Sequence, residues 1–149
     1  MPDDYLNTAL RMRDDAKILF EKDRYYNACY LSGYVAECYT KYVLISLVNN
    51  SNGVRYTQRD IKQLFKHDIE SLMNEICNTS TMIPSQCRMD MRTKCTGIWN
   101  MSFKWNPYDR YGNNPNWGNK TVASSYLADA EAVCEYLLHL ILVEGVLPL

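Results

Sequence analysis

Apolar side chains recur at helical spacing along nearly the whole chain. In the first segment Leu6, Ala9, Leu10, Ala16, Leu19 and Phe20 share one face. Asp3 or Asp4 is placed to cap its start, because a carboxylate accepts from N–H groups that the first turn leaves unpaired. This helix is expected to end near Asp23. In the second segment Ala28, Leu31, Val35, Cys38, Tyr42 and Ile45 step by 3, 4, 3, 4, 3, which predicts a buried seam on a long helix. The small residues Ser32, Gly33 and Ala36 lie beside it, so a second helix is expected to approach closely. The polar run from Asn49 to Gly53 stops the pattern. Thr57 and Asp60 resemble a capping box, with Asp in place of the better Glu. Ile61, Leu64, Phe65, Ile69, Leu72, Met73 and Ile76 continue the face, and Lys66-His67-Asp68 is expected to break it into a short helix and a longer one. A polar connector from Asn78 to Ser85 leads to a fourth helix with Cys87, Met91, Cys95, Ile98 and Trp99 on its apolar side. An irregular stretch from Lys104 to Lys120 carries Pro107, Gly112, Pro115 and Gly118. The last helix runs from about Val122 to Glu144, with Ala123, Leu127, Ala130, Cys134, Leu137 and Ile141 as its seam. No strand-period run competes. The pattern predicts an all-α fold, an up-and-down bundle of four to six helices.

Composition narrows this only slightly. With 149 residues, 47% of them hydrophobic and 22% charged, the chain has room for one ordinary globular core. It is therefore read as a single domain over 1–149, with a long aromatic-rich loop at 104–121 before the last helix. A net charge of −1 argues against a protein held on DNA by bulk charge. No apolar run approaches the roughly 20 residues that span a bilayer. Met1-Pro2-Asp3-Asp4 lacks the basic and apolar regions of a secretory leader, so a cytoplasmic location and free thiols are expected. Cys29, Cys38, Cys77, Cys87, Cys95 and Cys134 include no CxxC pair and no zinc-site spacing. They read as small apolar core fillers. There is no Gly-rich phosphate loop, nucleophile elbow, HExxH or paired-carboxylate signature. Accordingly no cofactor and no metal is expected.

Three short motifs, in order, carry a family resemblance. The second segment reads Tyr26-Asn27-Ala28-Cys29-Tyr30-Leu31-Ser32-Gly33-Tyr34-Val35-Ala36-Glu37-Cys38-Tyr39-Thr40-Lys41 and ends in Glu-x-x-x-Lys. His67-Asp68-Ile69-x-x-Leu72 and Trp105-x-x-x-x-Arg110-Tyr111 follow. Together, over about residues 5–145, they resemble HEPN domains. The resemblance implies a helical bundle, commonly dimeric, in one of two roles. Some HEPN domains are metal-independent ribonucleases that share an Arg-x(4–6)-His motif near a late helix. Others lack it and act as binding or helper modules, often beside a nucleotidyltransferase. In this sequence Arg59 lies eight positions before His67, no Arg stands four to seven residues before His139, and Lys and Arg are absent from Thr121 onward. The resemblance therefore implies a non-catalytic interaction module, a homodimer in a bacterial or phage conflict system of toxin–antitoxin or defence type. A nucleotidyltransferase-like or other protein is its expected partner. Two alternatives stay open: a divergent metal-independent ribonuclease using His67, Arg110 and Glu37, and a nucleotide- or RNA-binding domain without catalysis.

Each candidate residue has a plainer reading beside the functional one. Glu37 and Lys41 are one turn apart, so they form either an ordinary i,i+4 ion pair or the lining of a site, with Arg110 a further partner for Glu37. His67 is either a general base, since imidazole titrates near pH ~6.5, or a peg at a helix junction. His139, in Leu137-Leu138-His139-Leu140, reads as a core or interface histidine. The stretch from Trp99 to Trp117 holds all three tryptophans with Phe103, Lys104, Trp105, Tyr108, Arg110 and Tyr111. Aromatic faces with cations between them suit base stacking, and they equally suit a loop folded over the bundle. Residues 84–120 carry six bases against two acids, a net +4, whereas residues 121–149 carry four acids and no base. Arg88 and Arg92 are one turn apart and either meet phosphate or pack beside the acidic last helix.

Overall fold

A computed structural model describes residues 4–48, 57–79, 89, 93, 105–112 and 114–142. Among them there is no strand, and the helices form an all-α bundle. Arg88, Arg92, most of the expected fourth helix, the run from Asn49 to Gly53 and the residues beyond Leu142 lie outside the described residues.

Helix α1 spans Tyr5–Glu21. Asp4 caps it by accepting from the Asn7 N–H at 3.0 Å. It ends in a two-bond turn: the Arg24 N–H donates to Leu19 O at 2.8 Å and the Asp23 N–H to Phe20 O at 3.1 Å. Asp23 takes a left-handed φ of 59° to allow this, the position glycine usually fills. The chain reverses there and enters α2, Tyr25–Val43, which continues into a π-helical turn over Leu44–Val48. A connection this short makes α1 and α2 packed neighbours.

The expected single seam on α2 is incomplete. Ala28, Val35 and Cys38 are buried as expected, but so are Cys29, Ser32, Gly33, Ala36, Glu37, Tyr39, Thr40, Lys41 and Val43. The reason is position. Helix α2 is the central element and meets α1, the last helix, the helix over Ile69–Thr79 and both short turns of the 105–118 segment. Its Thr40 hydroxyl satisfies itself on the Ala36 and Glu37 carbonyls at 3.0 and 2.9 Å.

Helix α3, Gln58–Leu64, begins with a complete capping box: the Asp60 N–H donates to Thr57 Oγ1 at 3.1 Å and the Thr57 N–H to Asp60 Oδ2 at 2.9 Å. Aspartate thus serves where glutamate is the usual partner. The chain then breaks at Lys66-His67-Asp68 as the sequence predicts, with Lys66 left-handed at φ 49°. Helix α4, Ile69–Thr79, restarts on Asp68, whose carboxylate accepts from the Ser71 N–H at 3.0 Å and the Ser71 hydroxyl at 2.8 Å. Leu64, expected on the core face, is instead 67% exposed at the rim of this break.

Two single 3-10 turns follow, Pro107–Arg110 and Pro115–Gly118. Each is opened by an asparagine: Asn106 accepts from the Tyr108 N–H and Asn114 from the Asn116 N–H, both at 3.0 Å. Helix α5, Lys120–Leu142, starts two residues before the expected Val122 because Asn119 Oδ1 accepts from the Thr121 and Val122 N–H groups at 2.7 and 3.3 Å. Its expected seam of Ala123, Leu127, Ala130, Cys134 and Leu137 is buried, joined by Tyr126, Val133, Tyr136 and Leu140. His139 is not in the core; it is exposed and stacks on Tyr136 at 6.0 Å. Leu138 and Leu142 are exposed too. Cys29, Cys38 and Cys134 are buried free thiols, and burial pushes Cys29 up to about 12 and Cys134 up to about 11.

Candidate functional site

Helix α2 presents three tyrosines one turn apart, Tyr26, Tyr30 and Tyr34, followed by Glu37 and Lys41 on the same succession of turns. The 105–117 segment lies along this ladder and closes it rung by rung. At the first rung the Tyr26 hydroxyl shares its one proton between the Asp109 and Gly112 carbonyls, at 2.5 and 3.0 Å, and accepts from the Asn114 N–H at 3.1 Å. Trp117 fits between rungs, 5.2 Å from the Tyr26 ring and 6.4 Å from Tyr30, and its carbonyl accepts from Cys29 Sγ at 3.7 Å. At the second rung Arg110 donates to the Tyr30 hydroxyl at 3.1 Å, with its guanidinium 5.5 Å from the Tyr30 ring. At the third, Tyr34 meets Trp105 edge-on at 5.1 Å. Tyr34 is pushed well above the usual phenol range, first by burial and then by its hydrogen bond with Tyr30.

Gly33 makes the third rung possible. A Cβ there would lie 2.0 Å from the Trp105 indole. The small residue that the sequence assigned to a helix contact therefore receives an indole from the loop. Trp105 and Trp117 are buried, 4% and 1% exposed, so two of the three tryptophans serve packing, and Trp99 lies outside the described residues.

Beyond the ladder sits a buried charge cluster. Glu37 is 3% exposed in its side chain and accepts from Lys41 Nζ at 2.6 Å; Lys41 is itself 7% exposed. The second partner of Glu37 is His67, whose Nδ1 lies 3.0 and 3.1 Å from the two carboxylate oxygens. Arg110, the partner expected for Glu37, goes to Tyr30 instead. The break after α3 brings His67 across to α2, and α2 itself supplies Lys41, so the carboxylate is satisfied before the loop reaches it. A carboxylate only accepts, so this contact assigns a ring proton to Nδ1. The imidazole is further held edge-on by Tyr34 at 5.9 Å and Tyr108 at 6.2 Å.

His67 forms part of the wall of an open cleft of about 760 Å3 between the α3–α4 corner and the Asn106–Asp109 turn. Leu64, Phe65 and Trp105 line it with apolar side chains, and Lys66, His67, Asp68, Glu70 and Asp109 line it with charged or titratable ones. Sequence reasoning had singled out His67 and Trp105 but missed the corner carboxylates. Their signal was the charged run flanking the helix break. Among the described residues no group of three or more His, Cys, Asp or Glu side chains is placed to hold a metal ion. No helix among them is long and apolar enough to cross a membrane.

Of the sequence-selected residues, the structure thus brings Glu37, Lys41 and His67 into direct contact, with Trp105 beside them. Arg110 and Tyr111 stand apart at the outer edge of the ladder. The guanidinium lies 5.2 Å from the Tyr111 ring, which is 80% exposed. A family model described as HEPN domain matches residues 3–140 of the chain. No curated protein and no solved structure matches it.

Proposed function

The chain belongs to the HEPN family, and on that premise we propose that it is a non-catalytic interaction module whose docking surface is the cleft beside His67. The charge of the cleft carries this reading. Three carboxylates, Asp68, Glu70 and Asp109, line it against Lys66 and His67. A phosphodiester entering there meets like charge, whereas a protein segment bearing basic side chains meets complementary charge. The Glu37 carboxylate behind it is already satisfied by Lys41 and His67, which suits a brace between α2 and the α3–α4 corner. A homodimer formed through exposed Leu138 and Leu142 of α5, and a separate protein partner within a bacterial or phage conflict system, complete the proposal.

One observation favours a second reading. A carboxylate on His67 Nδ1 is the arrangement that fixes an imidazole with Nε2 ready to take a proton. A divergent ribonuclease would use His67 as that base. Metal-free incubation of the purified protein with total RNA separates the two. Intact RNA with wild type supports the module. Cleavage that disappears in a folded His67→Ala variant overturns it in favour of the nuclease.

A further inference from the structure

Two large hydrophobic side chains left exposed among the described residues line the cleft beside His67, one from each wall. Leu64 ends α3 and is 67% exposed; Tyr108 belongs to the Pro107–Arg110 turn and is 64% exposed. A lone exposed hydrophobic is ordinary, but a pair lining one cavity of about 760 Å3 marks a surface built to be covered. The Tyr108 ring is held in place. It meets the His67 imidazole edge-on at 6.2 Å, and His67 is anchored in turn on Glu37 at 3.0 Å. The turn fixes its backbone: the Tyr108 N–H donates to Asn106 Oδ1, and the Tyr108 carbonyl accepts from the Tyr111 N–H, both at 3.0 Å. A ring held this way needs little further ordering when a ligand arrives. Three carboxylates against the Lys66 ammonium give the same lining an excess of negative charge. Of these, Asp109 accepts from the Asn114 side-chain amide at 2.8 Å, and Asp68 and Glu70 stand at the start of α4. An exposed aromatic face beside carboxylates is a setting that tells arginine from lysine. A guanidinium is flat and weakly hydrated, so it lies on a ring while its fork meets a carboxylate. An ammonium is a compact, strongly hydrated charge that gains less from the ring.

Building on the reading of the cleft as a docking surface for a basic protein segment, we infer that it is an arginine pocket. The partner segment inserts one arginine, whose guanidinium lies against Tyr108 and pairs with the Asp68 and Glu70 carboxylates. An aliphatic residue next to that arginine covers Leu64. Tyr108 sets the choice of arginine over lysine, the carboxylates set the demand for a cation, and Leu64 sets the preference for an apolar neighbour.

Titration at low salt with four short peptides tests this: a glycine-flanked arginine–leucine peptide, the same peptide with lysine or citrulline in place of arginine, and the same peptide with alanine in place of leucine. Wild type binds the arginine peptide. Lysine weakens binding about two- to fivefold, the worth of a ring contact at an exposed site. Citrulline, which keeps the planar shape and loses the charge, weakens it about tenfold. Alanine for leucine weakens it about threefold. Tyr108→Leu brings the arginine and lysine peptides to equal affinity, and Tyr108→Phe, which keeps the ring, restores the preference. Glu70→Gln weakens both peptides alike and leaves their ratio unchanged. Leu64→Ser removes the advantage of leucine over alanine. Melting curves of these exposed-site variants match wild type; should Tyr108→Leu melt early, the lysine and citrulline peptides on wild type carry the test. Equal affinity of wild type for the arginine and lysine peptides, or an arginine preference that survives Tyr108→Leu, overturns the arginine pocket and leaves the basic docking surface standing. No binding of either peptide overturns both. The RNA-cleavage assay uses no peptide and judges only the choice between module and nuclease.

Discussion

Two places along the tyrosine ladder handle positive charge in opposite ways. At the inner end Lys41 is sealed in the core and matched by Glu37, with His67 closing the far side. At the second rung Arg110 is exposed, matched by rings and a hydroxyl. Both are long basic side chains, one on α2 and one on the loop that covers it, so residue type alone does not distinguish them. Solvent does. A cation withdrawn from water needs a full counter-charge, because desolvation costs several kcal/mol per ion. A cation left in water needs none, and what holds it is geometry. One place is consequently a buried, charge-matched brace and the other an exposed cation held by rings and a hydroxyl.

The largest blow to this contrast falls at the inner end. Glu37→Ala strands Lys41 in the core and is expected to cost about 3–5 kcal/mol in urea unfolding. The double variant Glu37→Leu with Lys41→Met, which removes both charges at similar volume, is expected to recover most of that loss. A double variant no more stable than the single would mean that the pair does more than cancel its own burial. Gly33→Ala comes next. Its Cβ collides with Trp105, so the indole must leave the third rung, at about 1–3 kcal/mol for the repacking. Tryptophan emission should shift to the red; an unshifted spectrum would show that the rung tolerates a methyl. Tyr26→Phe removes the hydroxyl that ties three loop residues and is expected to cost about 1 kcal/mol. Limited proteolysis should then cut within 106–114 while the inner cluster stays intact. Uniform protection would place the tether elsewhere.

The smallest effect tests acid sensitivity away from both ends. Hydrogen bonds from the Thr57 backbone hold the Asp60 carboxyl below its ordinary range. A carboxyl lowered in the folded state stabilises above its unfolded value of about 3.9, and that contribution is lost as pH falls through the folded value. Wild type and Asp60→Asn should therefore differ in urea midpoint at neutral pH and converge in strong acid. Curves that stay parallel down to about pH 2 would remove Asp60 from the acid response.

Much of this architecture was legible in the sequence, and the illegible parts share a cause. Asp4, the Thr57–Asp60 box and the break at Lys66-His67-Asp68 act within a few residues of themselves, so local chemistry predicts them. The α5 seam was legible because one face of that helix dominates its burial. The burial of α2 beyond that stripe was not, because its period records only the most apolar positions. The partner of Glu37 was misassigned for a related reason. His67 and Arg110 are both cationic candidates at long range, and only the packed geometry ranks them. Gly33 was noticed for its size, yet nothing in its neighbours says whether a helix or an indole fills the gap. The tyrosine ladder itself had a signal, the i, i+4, i+8 recurrence of Tyr26, Tyr30 and Tyr34, which the aliphatic seam beside it overshadowed.

The distance along the chain between the ladder and its cover has a consequence for biosynthesis. Tyr26 finds Asp109 only 83 residues later. At roughly 5–20 residues per second, a ribosome releases the ladder roughly 4–17 s before the segment that covers it. Throughout that interval α1 and α2 can pair, but the tyrosine face stays open to whatever aromatic-seeking surface is nearby. Growing chains in a polysome would present that face to one another, so slowing translation between the two segments should raise the yield of aggregate more than slowing it after Trp117.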